Sequence, residues 1–103
     1  MRQFDVVENL NPATRGRFPF VVVLQHDRIY GLSTVVVAPL TPALPVLALD
    51  RLRPEVRVSG QRYRVLVEQL AAVRQPILGR AVGSLEDDRY SIIRAIDLVF
   101  TGI

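Results

Sequence analysis

The chain has 103 residues, a net charge of +3 and a 50% share of hydrophobic residues, and it contains no cysteine. This length predicts one domain over residues 1–103, and the lack of cysteine excludes disulfides, thiolate metal sites and a cysteine nucleophile. The apolar runs are too short to span a bilayer, and the N-terminus lacks the apolar stretch of a signal peptide. We therefore expect a cytoplasmic protein without membrane contacts.

Every basic residue is an arginine, and lysine is absent. Arginine binds phosphate bidentately and stacks on bases, which suits an RNA-binding surface. However, ten acidic residues are interspersed and no block of arginines forms. We favour the codon bias of a GC-rich genome as the explanation and expect no direct binding to nucleic acid.

The N-terminal half predicts three strands joined by loops. Polar, Pro and Gly residues indicate the loops, and β-branched runs indicate the strands. The strands are Gln3–Glu8, with Phe4 and Val6 on one face, Phe20–Gln25, buried on both faces, and Thr34–Ala38; the loops are Asn9–Arg17 and Asp27–Ser33. Pro39 is expected to end the third strand. The next residues, 39–54, contain four prolines and many leucines and predict an ordered excursion over the core.

Residues 55–67 predict a tight hairpin around Ser59-Gly60. A two-residue turn pairs Val58 with Gln61, Arg57 with Arg62, Val56 with Tyr63 and Glu55 with Arg64. Val56 and Tyr63 then face the core, while Arg57, Arg62 and Arg64 share the outer face. Opposed like charges are unfavourable in a sheet. The outer face therefore binds either acidic residues of a partner or nucleic acid, or it is a solvated surface on which Glu55 reduces the repulsion between the arginines.

The C-terminal part predicts the end of another strand at Ile77-Leu78-Gly79 and then a helix from Leu85 to Phe100. Ser84 is the expected N-cap, because acidic residues follow it in the first turn. An apolar stripe recurs at helical spacing, comprising Ile92, Ile93, Ile96, Val99 and Phe100. The predicted architecture is several antiparallel strands followed by one C-terminal helix.

The catalytic inventory is small. His26 is the only histidine, and no spacing brings a serine towards it. The acidic cluster Glu86, Asp87 and Asp88 fits a helix N-terminus better than an acid–base pair or a magnesium site. We therefore expect no catalytic residue, no metal site, no cofactor and no enzymatic activity. One enzyme class stays open: a ribonuclease that uses the 2′-hydroxyl of RNA as nucleophile, with arginine and His26 as its functional groups.

The C-terminal segment Arg94–Ile103, which reads RAIDLVFTGI, resembles the end of CcdB toxins. In that family the last residues run Ile-Asn-Leu-Met-Phe-Trp-Gly-Ile at the close of a helix. Further matches in order and spacing are Gln3-Phe4, Gln25-His26-Asp27, Val37–Leu40, Pro54–Gly60 and Leu70–Gly79. The similarity covers nearly the whole chain.

This resemblance implies a mainly β fold, an SH3-like barrel of antiparallel strands with one C-terminal helix, shared with MazF-type ribonuclease toxins. It further implies a homodimer and a CcdA-like antitoxin whose disordered C-terminal half wraps the toxin. The implied target is the A subunit of DNA gyrase, which CcdB toxins hold with its DNA cleaved. The chain is then the toxin of a type II toxin–antitoxin system.

By the same resemblance, the gyrase-binding tail comprises Asp97, Phe100, Thr101, Gly102 and Ile103. Two of them depart from the family: Thr101 replaces the tryptophan, and Asp97 replaces the helix asparagine. Aromatic anchors tend to dominate interface energies, so gyrase poisoning is expected to be weakened, redirected or lost. Without the resemblance, Phe100 and Ile103 would be assigned to the core or a dimer interface, and Gly102 to a helix C-cap.

Overall fold

The computed structural model describes residues 1–43 and 51–103. In these residues, strands fill most of the chain before a single α-helix at the C-terminal end. The elements are β1 (Asp5–Asn9), β2 (Phe20–Val23), β3 (Thr34–Pro42), β4 (Glu55–Val58), β5 (Gln61–Val65), β6 (Ala71–Arg74), β7 (Leu78–Ser84) and α1 (Arg89–Thr101), with 3-10 helices at Val67–Gln69, Gln75–Ile77 and Glu86–Asp88. The predicted mainly β fold with one C-terminal helix is confirmed.

The described strands form one antiparallel sheet in the order β4-β5-β3-β2-β1-β7, and β6 also pairs with β3. The two end strands approach each other, because a Cβ built on Gly83 of β7 would lie 3.9 Å from Cγ1 of Val58 in β4. The sheet therefore curls into a half-barrel, which confirms the predicted SH3-like arrangement.

The third strand does not end at Pro39 as predicted. β3 runs on to Pro42, because its partner on one side changes from β6 at Thr34–Val37 to β5 at Leu40–Pro42. Pro39 lies between these two pairings, where no ladder needs its missing amide, and its carbonyl accepts a hydrogen bond from Leu66 at 2.9 Å. The rest of the predicted excursion falls largely on residues 44–50, outside the described residues.

Two clusters of apolar side chains cover opposite faces of the sheet. The larger one lies between the curled sheet and α1, and the smaller one consists mainly of valines. Val22 belongs to the first, and Val21 and Val23 to the second, so β2 is buried on both faces as predicted. Phe4 and Val6 share the larger cluster, again as predicted. The first strand begins at Asp5 rather than Gln3, because Phe4 has a φ of 68° and turns inward.

The hairpin of β4 and β5 has the predicted register at every pair from Glu55↔Arg64 to Val58↔Gln61. Ser59 and Gly60 both have positive φ, at 51° and 80°, as a tight two-residue turn requires. Val56 is buried, and Tyr63 is half-buried with its ring edge-on to Phe20 at 5.8 Å between centroids.

Contrary to the prediction, the Arg64 side chain of the hairpin does not lie in solvent. Only 16% of the Arg64 side chain is exposed. Its Nη1 donates a hydrogen bond to the Arg53 carbonyl at 2.9 Å, which holds it against the chain that enters β4. The predicted outer face of exposed arginines is therefore limited to Arg57 and Arg62.

The boundaries after residue 70 differ from those predicted. Ile77-Leu78-Gly79 does not end a strand: it covers the last residue of a 3-10 helix and the start of β7. Ser84 is the last residue of β7, and its Oγ accepts the Glu86 amide at 3.2 Å, so it starts a 3-10 turn rather than the α-helix. Within the described residues, no helix is long and apolar enough to cross a membrane.

Candidate functional site

Helix α1 is anchored by its first half and exposed in its second. Ile92 and Ala95 are fully buried in the larger apolar cluster. Near the C-terminus, however, 68% of Phe100 and 80% of Ile103 are exposed. The apolar stripe of the helix therefore continues past the sheet, and the chain as it stands does not bury either residue in its own core.

The tail itself has a defined geometry. Gly102 adopts a left-handed conformation at φ 76°, and its amide donates to the Leu98 carbonyl at 3.0 Å. This is a helix C-cap that glycine adopts without steric strain, so the C-cap assignment of Gly102 is confirmed. Thr101 Oγ1 donates to the Asp97 carbonyl at 2.7 Å, one helical turn back. The tail presents Phe100 and Ile103 to solvent, beside the exposed Asp97 carboxylate.

A cavity of about 450 Å³ lies beside the hairpin and α1, and it was not predicted. We call it the arginine cavity, and its described lining consists of Arg51, Pro54, Glu55, Arg64, Ser91 and Arg94. Only Arg64 and Glu55 had been considered together, as a strand pair. The contribution from α1 has a weak local signal, since Ser91 and Arg94 are three residues apart and therefore neighbours on one helix face.

The hairpin cations are partly neutralised by Glu55. Arg62 donates two hydrogen bonds to its carboxylate, Nε at 3.0 Å and Nη2 at 2.8 Å, and Arg64 Nη2 lies 3.8 Å from Oε1. The hydrogen bonds from Arg62 hold the pKa of Glu55 below its ordinary value. The expectation that Glu55 reduces the repulsion between the arginines is therefore confirmed for Arg62.

His26 occupies a different place. Its Nδ1 accepts the Arg28 amide at 3.0 Å, and the next residue, Asp27, accepts the Gln3 amide at 2.7 Å, which lowers the pKa of Asp27. Among the described residues, the small cavity that His26 lines contains neither a serine nor an arginine. The cavity that His26 lines therefore shares no described residue with the arginine cavity, although the Arg2 side chain comes within 3.7 Å of the neighbouring Asp27.

The acidic residues before α1 have local roles. Glu86 pairs with Arg89 at 2.9 Å, and burial together with the neighbouring Asp87 raises the pKa of Asp88. Within residues 1–43 and 51–103, no three His, Asp or Glu side chains converge in a way that could hold a metal ion.

The CcdB protein family matches residues 3–102. The chain belongs to the CcdB family. It is thus a member of a family of toxins from type II toxin–antitoxin systems, as the end of the chain had indicated. A comparison with curated proteins gives no match.

Solved structures with this fold include toxins from mycobacteria. The Mycobacterium tuberculosis toxin MazF-mt6 is 20% identical, with a TM-score of 0.73 over 93% of this chain and 95% of that chain. An endoribonuclease in complex with its cognate antitoxin, from a mycobacterial species, is 14% identical, with a TM-score of 0.74 over 96% and 94% of the two chains. At these identities the likeness establishes that the CcdB-family protein shares their fold.

The prediction that the protein is not an enzyme is corrected by this comparison. It rested on the small number of catalytic side chains in the sequence, and on the resemblance to a toxin that acts by binding. A fold used by endoribonucleases over almost the same length shows that this scaffold supports RNA cleavage. A small inventory of histidine, cysteine and serine is therefore no ground for excluding catalysis.

Proposed function

We propose that this CcdB-family toxin acts on the A subunit of DNA gyrase through its C-terminal tail and is neutralised by a CcdA-like antitoxin. The observation that carries the proposal is the exposure of Phe100 and Ile103 at the end of a helix whose first half is firmly packed. A contiguous apolar patch that stays exposed on an ordered surface commonly marks an interaction site.

Each residue of the tail has a role in this proposal. Phe100 and Ile103 supply the apolar contact area, and the left-handed Gly102 turns Ile103 away from the helix. Thr101 stands where CcdB toxins have an aromatic anchor, and its hydroxyl is already bonded to the Asp97 carbonyl. It therefore offers a partner little more than a methyl group. The loss of such an anchor costs several kcal/mol, roughly a thousandfold in affinity, so the poisoning is expected to be weak.

The test combines growth with gyrase chemistry. The protein is expressed in a sensitive host with and without its antitoxin, and the purified toxin is then added to gyrase and plasmid DNA. We expect growth inhibition that the antitoxin relieves and an accumulation of cleaved DNA. Deleting Gly102 and Ile103 should abolish both effects and leave folding intact, because terminal residues carry little stability. Undiminished cleavage by the deleted form would contradict the proposal.

A second candidate is an endoribonuclease toxin, which the fold shared with an endoribonuclease favours. Against its simplest form, His26 and the arginine cavity have no described residue in common. Incubating the toxin with total RNA, in the absence of gyrase, distinguishes the two targets. Specific RNA fragments, unaffected by deletion of the tail, would favour the ribonuclease. The absence of both RNA fragments and cleaved DNA would indicate a redirected or inactive homologue.

A further inference from the structure

The arginine cavity carries more positive charge than its described surroundings neutralise. Its described lining includes Arg51, on the chain before β4, and Arg94, on α1. Among the described residues, neither Arg51 nor Arg94 has a carboxylate partner, and both side chains are exposed. The one acid of the lining, Glu55, already accepts two hydrogen bonds from Arg62, outside the cavity. The unmet charge indicates an anionic ligand.

We infer that the arginine cavity binds a carboxylate side chain from an acidic segment of a partner protein. Arg51 and Arg94 provide guanidinium donors, and a guanidinium matches the two oxygens of a carboxylate. Arg64 also lines the cavity, where the Arg53 carbonyl accepts a hydrogen bond from its side chain. Ser91 adds a hydroxyl that can donate to the same ligand.

The shape and composition of the cavity favour a peptide over RNA. Single-stranded RNA is held largely by stacking of its bases on aromatic rings, and no described lining residue of the cavity is aromatic. The inference is tested by peptide binding in the absence of gyrase. Its outcome is therefore independent of whether gyrase is the target.

The probe is a fluorescent hexaglutamate peptide, and its binding is followed by anisotropy at low ionic strength. A hexaglutamine peptide serves as the neutral control, and hexauridylate RNA as the competing ligand class. The test variant is the double substitution Arg51→Gln and Arg94→Gln. Arg74→Gln is the control, because Arg74 lies far from the cavity. Arg74 pairs with Thr34 of β3, whereas Arg64 pairs with Thr41, seven residues further along the same strand. That separation is roughly 23 Å along a strand.

We expect hexaglutamate to bind and hexaglutamine not to bind. The double variant should weaken the binding about tenfold, since two charge-assisted contacts at a partly exposed site are removed. The Arg74→Gln control should change it less than about twofold. Equal weakening by the control would reduce the effect to overall charge and overturn the inference. An absence of hexaglutamate binding would also overturn the inference. The same holds if hexauridylate binds more tightly than hexaglutamate and the double variant abolishes that RNA binding. Thermal unfolding of each variant checks that the fold is retained.

Discussion

The difference between the two halves of α1 predicts that two alanine substitutions lower the stability by very different amounts. Ile92 is fully buried between the helix and the curled sheet. Ile92→Ala removes three carbon atoms, worth about 0.8 kcal/mol each in transfer free energy, and leaves a cavity that the sheet cannot fully close. The free energy of unfolding should fall by about 3 kcal/mol. At this chain length, that loss lowers the melting temperature by roughly 15 °C.

Phe100→Ala removes a larger side chain from the same helix, but Phe100 is 68% exposed. The substitution should change the free energy of unfolding by no more than about 0.5 kcal/mol. Urea denaturation, followed by circular dichroism at two protein concentrations, measures both variants against the parent. A loss for Phe100→Ala that matches the loss for Ile92→Ala at both concentrations would refute the reasoning, because it would show that the ring is packed within one chain.

Three further predictions concern charge, chemistry and assembly. The pKa of Glu55, measured by NMR, should lie below the ordinary glutamate value and rise towards it in Arg62→Gln. The associated stability is present above that ordinary value and is lost as the pH falls through the lowered pKa. An unchanged pKa in the variant would contradict the assigned cause. His26→Ala should leave growth inhibition unaltered, since the ring's Nδ1 accepts the backbone amide of its neighbour Arg28 and so has a local structural role. Loss of inhibition in a folded variant would indicate chemistry at His26. Light scattering at micromolar concentration should give about twice the chain mass of 11.6 kDa, because a small domain has little core of its own and two-fold dimers are the commonest oligomers. A mass of one chain would contradict this.

The hairpin was predictable because its determinants are local. The turn Ser59-Gly60 fixes the register, and alternation around it decides which side chains face the core. The burial of Arg64 was not predictable, because it depends on the Arg53 carbonyl eleven residues earlier in the chain.

The errors in strand boundaries have a non-local cause as well. Proline usually ends a strand, but at Pro39 the neighbouring strand changes and no amide is needed. Strand β6, Ala71–Arg74, pairs with the first part of β3 and has little hydrophobic patterning of its own. Its existence follows from its partner rather than from its sequence.

The candidate site divides in the same way. The tail could be located from the sequence because it is contiguous and ends a recognisable helix, although helical periodicity alone did not show that Phe100 would be exposed. The arginine cavity joins residues from the chain before β4, from β4 and β5, and from α1. Its first and last described lining residues, Arg51 and Arg94, are 43 positions apart in the sequence. Only the curl of the sheet brings them together.

The most direct test of the tail's role is the restoration of its aromatic anchor. Thr101→Trp adds a large flat side chain with few rotatable bonds beside Phe100, while Gly102 and Ile103 stay in place. Purified Thr101→Trp should be assayed with a gyrase that CcdB toxins poison, next to the parent protein and the form that lacks Gly102 and Ile103. The account predicts more cleaved DNA with Thr101→Trp than with the parent, and none with the truncated form. No gain in cleavage from a folded Thr101→Trp protein would contradict the claim that this tail is directed at gyrase.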